Sequence, residues 1–186
     1  MLATRTSFIL FKVEFMPRIL MTLLAILISS HAVAQNEASK AEQPQQRTPS
    51  VDEQVGDWRF LCYGEGDVKD CGAIQVRVND QKRRVMESRI VKVGGDKVGL
   101  LLIVPLGVNL QQGAAITIDG TVMGTVGFNV CTPEGCQALV ALNGPELKAL
   151  RKGKQATVTI VAGKNRVGVP ISLKGFTASE KKVLGQ

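Results

Sequence analysis

Two tight cysteine pairs, Cys62 with Cys71 and Cys131 with Cys136, follow an N-terminal segment of export type. This combination constrains the chain more than any other feature. Arg5, Lys12 and Arg18 flank a run, Ile19 to Ser30, that is almost wholly apolar, and Ala32-Val33-Ala34 supplies a small-x-small cleavage signature. The run is nearer a dozen residues than the roughly 20 that span a bilayer. Residues 1–34 are therefore expected to be a signal peptide, with no membrane span after cleavage. Met16-Pro17-Arg18 offers a second start, which would shorten the signal to an ordinary length. An exported chain meets an oxidising compartment, so its cysteines are expected to form disulfides.

Four cysteines allow three pairings. Local pairing closes loops of about 10 and 6 residues, for which loop entropy gives about 2–3 kcal/mol each; a Cys62–Cys136 bridge would give about 4–5 kcal/mol. Energy alone does not select the local pairs. Turn chemistry favours them: Pro133-Glu134-Gly135 returns the chain between Cys131 and Cys136, and Gly64 and Gly66 make the span from Cys62 to Cys71 loop-like. A four-cysteine zinc site would want C-x-x-C knuckles, and a thiol oxidoreductase would want C-x-x-C at a helix start. Neither spacing occurs.

Past the signal, 152 residues remain, with 20 Lys and Arg against 15 Asp and Glu, a net charge of about +5. That length supports one domain with a real core. Gln35 to Gln54 is polar with hardly a large apolar side chain, which predicts a disordered tether over 35–54. The domain is expected over 55–184.

Short apolar runs punctuated by Gly, Asn and Asp predict an all-β fold, an antiparallel β-sandwich or barrel-like Greek key with one short helix. Strands are expected at Trp58–Tyr63, at Ala73–Val78 with Ile74, Val76 and Val78 on one face, and at Arg84–Val93. Val98–Val104 is apolar at both alternations and reads as a central buried strand. Ala115–Ile118 and Thr121–Val130 flank Asp119-Gly120, a two-residue hairpin signal. Gln137–Leu142, Ala156–Ala162 and Arg166–Leu173 complete the strands. Asn143-Gly144-Pro145-Glu146 starts the helix and Gly153 closes it; Thr177–Leu184 reads as a second short helix or a frayed tail.

The single histidine, His31, lies in the signal. The mature chain then lacks Ser-His-Asp and Cys-His catalysis and the usual His ligands of zinc, copper and haem. Asp52, Glu53, Glu65, Asp67 and Asp70 are expected in loops without a positioned partner for acid–base work. No catalytic residue, metal or cofactor is assigned. Lys82-Arg83-Arg84 is the densest basic run and the candidate anion-binding site. Lys148, Arg151, Lys152 and Lys154 form a second basic cluster, and Lys164 with Arg166 a third, both read as solvated. One Trp and one Tyr make no stacking platform, so nucleic acid is not an expected partner. Trp58, close to Cys62, reads as a core anchor.

Taken in order, several pieces resemble the invasion-associated locus B (IalB) family of exported bacterial proteins. They are Trp58-x-x-x-Cys62, Cys71 before a strand, and Pro105-Leu106-Gly107-Val108 followed by Gly113. Cys131 with Gly135-Cys136-x-Ala138, Leu147-x-x-Leu150-x-x-Gly153, and Ser172-Leu173-x-Gly175-Phe176 with Ala178 complete the set. The resemblance spans about 55–178 and implies an exported, β-rich, non-enzymatic domain; some family members are linked to host-cell invasion. The expectation is a periplasmic or envelope-associated interaction module with an envelope or host-surface partner, active in host-cell attachment or invasion. The alternative is a periplasmic structural or stress-related protein binding an anionic envelope component.

Overall fold

The computed structural model describes residues 48–66 and 69–185. The expected signal peptide and most of the expected tether lie outside the described residues.

Among the described residues, eleven strands and two helices build the domain. A seven-stranded antiparallel sheet has the order β1-β2-β3-β4-β5-β9-β8. Its strands are β1 (Val51–Val55), β2 (Trp58–Tyr63), β3 (Asp70–Val78), β4 (Arg84–Gly94), β5 (Lys97–Val104), β8 (Val130–Thr132) and β9 (Gly135–Ala141). A four-stranded antiparallel sheet has the order β11-β10-β6-β7, from β6 (Ala114–Ile118), β7 (Thr121–Val126), β10 (Gln155–Ala162) and β11 (Asn165–Ser172). Among the described residues both sheets keep free edges, so the sandwich and not the barrel-like alternative is the architecture. Helix α1 (Gly144–Lys152) links β9 to β10, and α2 (Phe176–Leu184) follows β11.

The strand β5 is central, between β4 and β9, and every residue from Val98 to Val104 except Leu101 is buried. Its two-sided apolar run requires neighbours on both edges and cover on both faces. The core joins the two sheets: Leu100, Leu102, Ile90 and Ala138 meet Ile116, Val158, Val169 and Ile171 in one apolar cluster.

Helix α2 covers the inner face of the larger sheet beside the smaller one, with Phe176, Ser179, Glu180 and Val183 buried. The expectation of one helix is thus exceeded, because Phe176 and Val183 give the tail an apolar face to bury. Trp58 is fully buried and its ring meets Phe176 edge-on, centroids 6.0 Å apart. Its Nε1 donates to the Ser172 carbonyl at 3.0 Å.

Two boundaries differ from expectation. Strand β1 starts at Val51, inside the segment expected as tether, because Val51 and Val55 pack against the core while β1 pairs with β2. The run expected as one strand over Thr121–Val130 is two, β7 and β8, in different sheets, since Gly127-Phe128-Asn129 carries the chain across.

Candidate functional site

The broadest candidate is the outward face of the seven-stranded sheet. Register fixes its membership. On β3, Ala73 and Gln75 are buried inward, so Ile74 and Val76 point out. Across the ladder they sit opposite Arg89 and Glu87 of β4, which sit opposite Leu101 and Ile103 of β5, and those opposite Leu139 and Gln137 of β9. Gln137 in turn pairs with Val130 of β8. The stripe Ile74, Val76 and Val78 is therefore legible in the sequence as one face, but that face is the outer one.

An outward sheet face is ordinarily polar. Here Val76, Val78, Val93, Val130 and Leu139 are between 36 and 50% exposed. Gly99 deepens the patch: a Cβ there would lie 2.7 Å from Val93 Cγ1 and 3.0 Å from Leu139 Cδ1, so the two side chains close over the glycine.

An ion cluster is set into this apolar field, and Arg59, opposite Ile74, brings its pair with Asp52 to the same face. Glu87 is only 6% exposed and pairs with Arg84 Nη1 at 2.9 Å and with the Arg89 guanidinium, both arginines being about half exposed. A carboxylate so shielded needs such partners, since an unpaired buried charge costs several kcal/mol by order of magnitude.

Arg84 links this cluster to one corner of the sheet. Its Nη2 donates to the Glu134 carbonyl at 2.6 Å. It also lines a cavity of about 250 Å³ with Ile103, Pro105, Leu106, Pro133 and Glu134. The Pro105 segment and the second cysteine hairpin, distant in sequence, thus meet at the basic run. The Glu134 carboxyl is held below the usual carboxylate range, chiefly by the Thr132 hydroxyl, with the nearby Arg84 charge adding to it.

The other two members of the basic run do not converge with Arg84. Arg83 donates to the Gln81 side chain at 3.1 Å, and Lys82 occupies a left-handed turn position, φ +59°. The Asn79 side chain closes this turn through the backbone N–H groups of Gln81 and Arg83.

The cysteines pair locally, Cys62 with Cys71 and Cys131 with Cys136. Each bridge joins directly opposite residues of a hairpin, β2–β3 and β8–β9, with Cα atoms 4.1 and 3.9 Å apart. They staple strand pairs and leave no free thiol among the described residues.

Asp52 and Glu53 lie on β1 and not in a loop. Asp52 pairs with Arg59, whose guanidinium lowers its carboxyl pKa. Glu53 pairs with Lys182 of α2 at 2.9 Å. Among the described residues no group of three or more His, Cys, Asp or Glu is placed to hold a metal ion, and no helix is long and apolar enough to cross a membrane.

The model of the invasion-associated locus B (IalB) protein family matches residues 58–183. The chain belongs to the IalB family. It is 32% identical over 137 residues to the invasion protein B homologs of Brucella abortus strain 2308 and of B. abortus biovar 1 strain 9-941. Those alignments cover 72% of this chain and 79% of each relative. The crystal structure of invasion associated protein B from Bartonella henselae superposes with a TM-score of 0.64 at 26% identity, covering 73% of this chain and 96% of that one. The IalB match begins at Trp58 and ends at Val183, so it takes in β2 to β11 and all but the last residue of α2, and omits β1.

Two residues of structural weight escape the sequence reading. Gln75 is buried and bridges the sheets, donating to the Asp57 and Ser172 carbonyls at 3.0 and 3.2 Å while Ser172 N donates to its Oε1 at 2.8 Å. Glu180, buried in α2, takes Arg151 in a two-pronged pair at 2.5 and 2.7 Å. Arg151 therefore leaves the basic cluster to which its sequence neighbours assign it.

Proposed function

We propose that this IalB-family chain is an exported, non-enzymatic interaction module of the cell envelope, and that the outward face of its larger sheet binds a protein partner in the envelope or on a host surface. The observation that carries the reading is the apolar patch of Val76, Val93, Val130 and Leu139 around the Arg84–Glu87–Arg89 cluster. Contiguous exposed apolar area on a soluble domain marks an interaction surface. A fixed charge cluster within it would set register and reject wrong partners. Host-cell invasion is the biological setting that the names of the relatives support, and attachment to host cells is part of the same proposal.

Charge on the face should weaken binding without unfolding the domain. Val76→Glu with Leu139→Glu is expected to lower retention of the protein on isolated cell envelopes about tenfold, a loss of about 1.4 kcal/mol, with an unchanged melting temperature. Undiminished retention would overturn the assignment of this face.

A second reading rests on the turn that presents Lys82 and Arg83 outward. Binding of an anionic envelope component there would fall steeply with salt and with Lys82→Ala and Arg83→Ala. Arg84 is the wrong residue to vary for this purpose, because it also neutralises Glu87.

A further inference from the structure

The two sheets do not close on each other everywhere. Between the β5–β9 pair, the β6–β7 hairpin and α1 lies a cleft of about 220 Å³. Its wall is mainly apolar, with Leu100 and Val140 from the larger sheet, Ile116 and Met123 from the smaller and Leu150 from α1, and Thr125 and Asn143 also line it. Glu146, in the first turn of α1, is the one charged side chain in the lining.

Three details distinguish this cleft from a packing gap, the first two belonging to one bulge. First, β6 and β7 slip register there. Ile116 sits opposite Gly124 and Thr117 opposite Val122, so Met123 is the extra residue of a β-bulge. A bulge re-aims a side chain, and this one belongs to the cleft wall, where a flexible thioether adapts to what it meets. Second, Gly124 adopts φ +145° and its missing Cβ faces open space, so the backbone and not crowding sets the bulge. Third, Glu146 Oε2 is buried and has no hydrogen-bond partner. A first-turn acid is favoured by the helix N-terminus, but that does not supply the missing donor. A buried acceptor left unmatched carries its full desolvation cost.

We propose that this cleft binds a small primary amine with a compact apolar body. The Glu146 carboxylate would turn into the cleft to accept from the ammonium, and the body would lie among Leu100, Ile116, Met123, Val140 and Leu150. Charge complementarity selects the cation: the lining offers a carboxylate and no Lys or Arg. The site is separate from the outward sheet face, so the two proposals stand or fall independently.

The test is a heteronuclear NMR titration of the mature protein, purified after export, with 2-phenylethylamine and with the neutral analogue n-propylbenzene. Saturable shifts of the amides of Gly124, Thr125 and Val140 to Glu146 are expected with the amine, with weaker binding of the hydrocarbon. Glu146→Gln should weaken the amine about tenfold and leave the hydrocarbon unchanged. Met123→Trp, which fills the cleft from the exposed hairpin, should abolish both. Shifts spread over other surfaces, no shifts at all, or amine binding indifferent to Glu146→Gln would overturn the proposal.

Discussion

Gly175 shows how a single residue can hold the sandwich together. It adopts φ +89° between β11 and α2, and a Cβ built there would lie 2.2 Å from the Val55 carbonyl oxygen. Gly56 approaches from the other side, and Asp57 N donates to the Lys174 carbonyl at 3.0 Å. Gly175→Ala combines a forbidden approach with a strained backbone and is expected to cost about 3 kcal/mol, measured as a lower urea midpoint. Asp119 has a gentler role. It takes the left-handed position of its hairpin turn, φ +46°, and its carboxylate accepts from Lys154 N at 3.0 Å and Gln155 N at 2.9 Å. Those two N–H groups, Lys154 first, lower its pKa. A depressed carboxyl stabilises the fold above its ordinary value, and that contribution is lost as pH falls through the lowered one. Asp119→Asn keeps a side chain that tolerates this backbone, so the variant should be less stable at pH 7 and the gap should narrow below about pH 4. The turn was legible from Asp-Gly, whereas the bonds to Lys154 and Gln155 were not, because their donors lie just before and at the start of β10, 35 and 36 residues away.

At the scale of elements, alternation and turn chemistry carried most of the information. Strand β2 matches its expected span, and β4, β5, β6, β10 and β11 fall within one residue of theirs at each end. What alternation does not encode is which face is inside. The Ile74-Val76-Val78 stripe is more apolar than Ala73-Gln75-Arg77, yet the second faces the core. Ala73 is small enough for the close sheet contact, Gln75 finds three partners, and Arg77 Nε donates to the Pro170 carbonyl at 2.8 Å. Polar inward residues can win where every donor and acceptor is matched. The same reason hid Glu180: a carboxylate amid Ser and Lys reads as solvated until Arg151 of another helix is placed over it. This pair clamps α1 to α2. Arg151→Met should therefore cost about 3 kcal/mol in denaturant unfolding, by leaving a buried charge unmatched. Adding Glu180→Leu should recover most of that loss. If the single variant is as stable as the parent, the clamp is not structural.

For the whole molecule, cysteine spacing, a histidine confined to the expected signal and the ordered family pieces made the class readable before the topology was. Strand order was not readable. The β5–β9 pairing joins segments separated by two strands of the other sheet, and the crossings depend on long-range packing rather than local signals. The candidate surface was hidden for the same reason: Val76, Val93, Leu139 and Val130 come from four strands, and only the register collects them. The basic run was visible, but the structure puts Arg84 to work on Glu87 and Glu134, leaving Lys82 and Arg83 on a turn. The central claim is that the outward sheet face is where this module meets its partner. Photocrosslinking in the intact envelope tests it most directly, with a photoreactive side chain placed in turn at Val76, at Leu139, and at Val167, an exposed position on the other sheet. A discrete protein adduct from Val76 and Leu139 but not from Val167 is the predicted result. Adducts from Val167 alone, or the same adducts from all three, would contradict it.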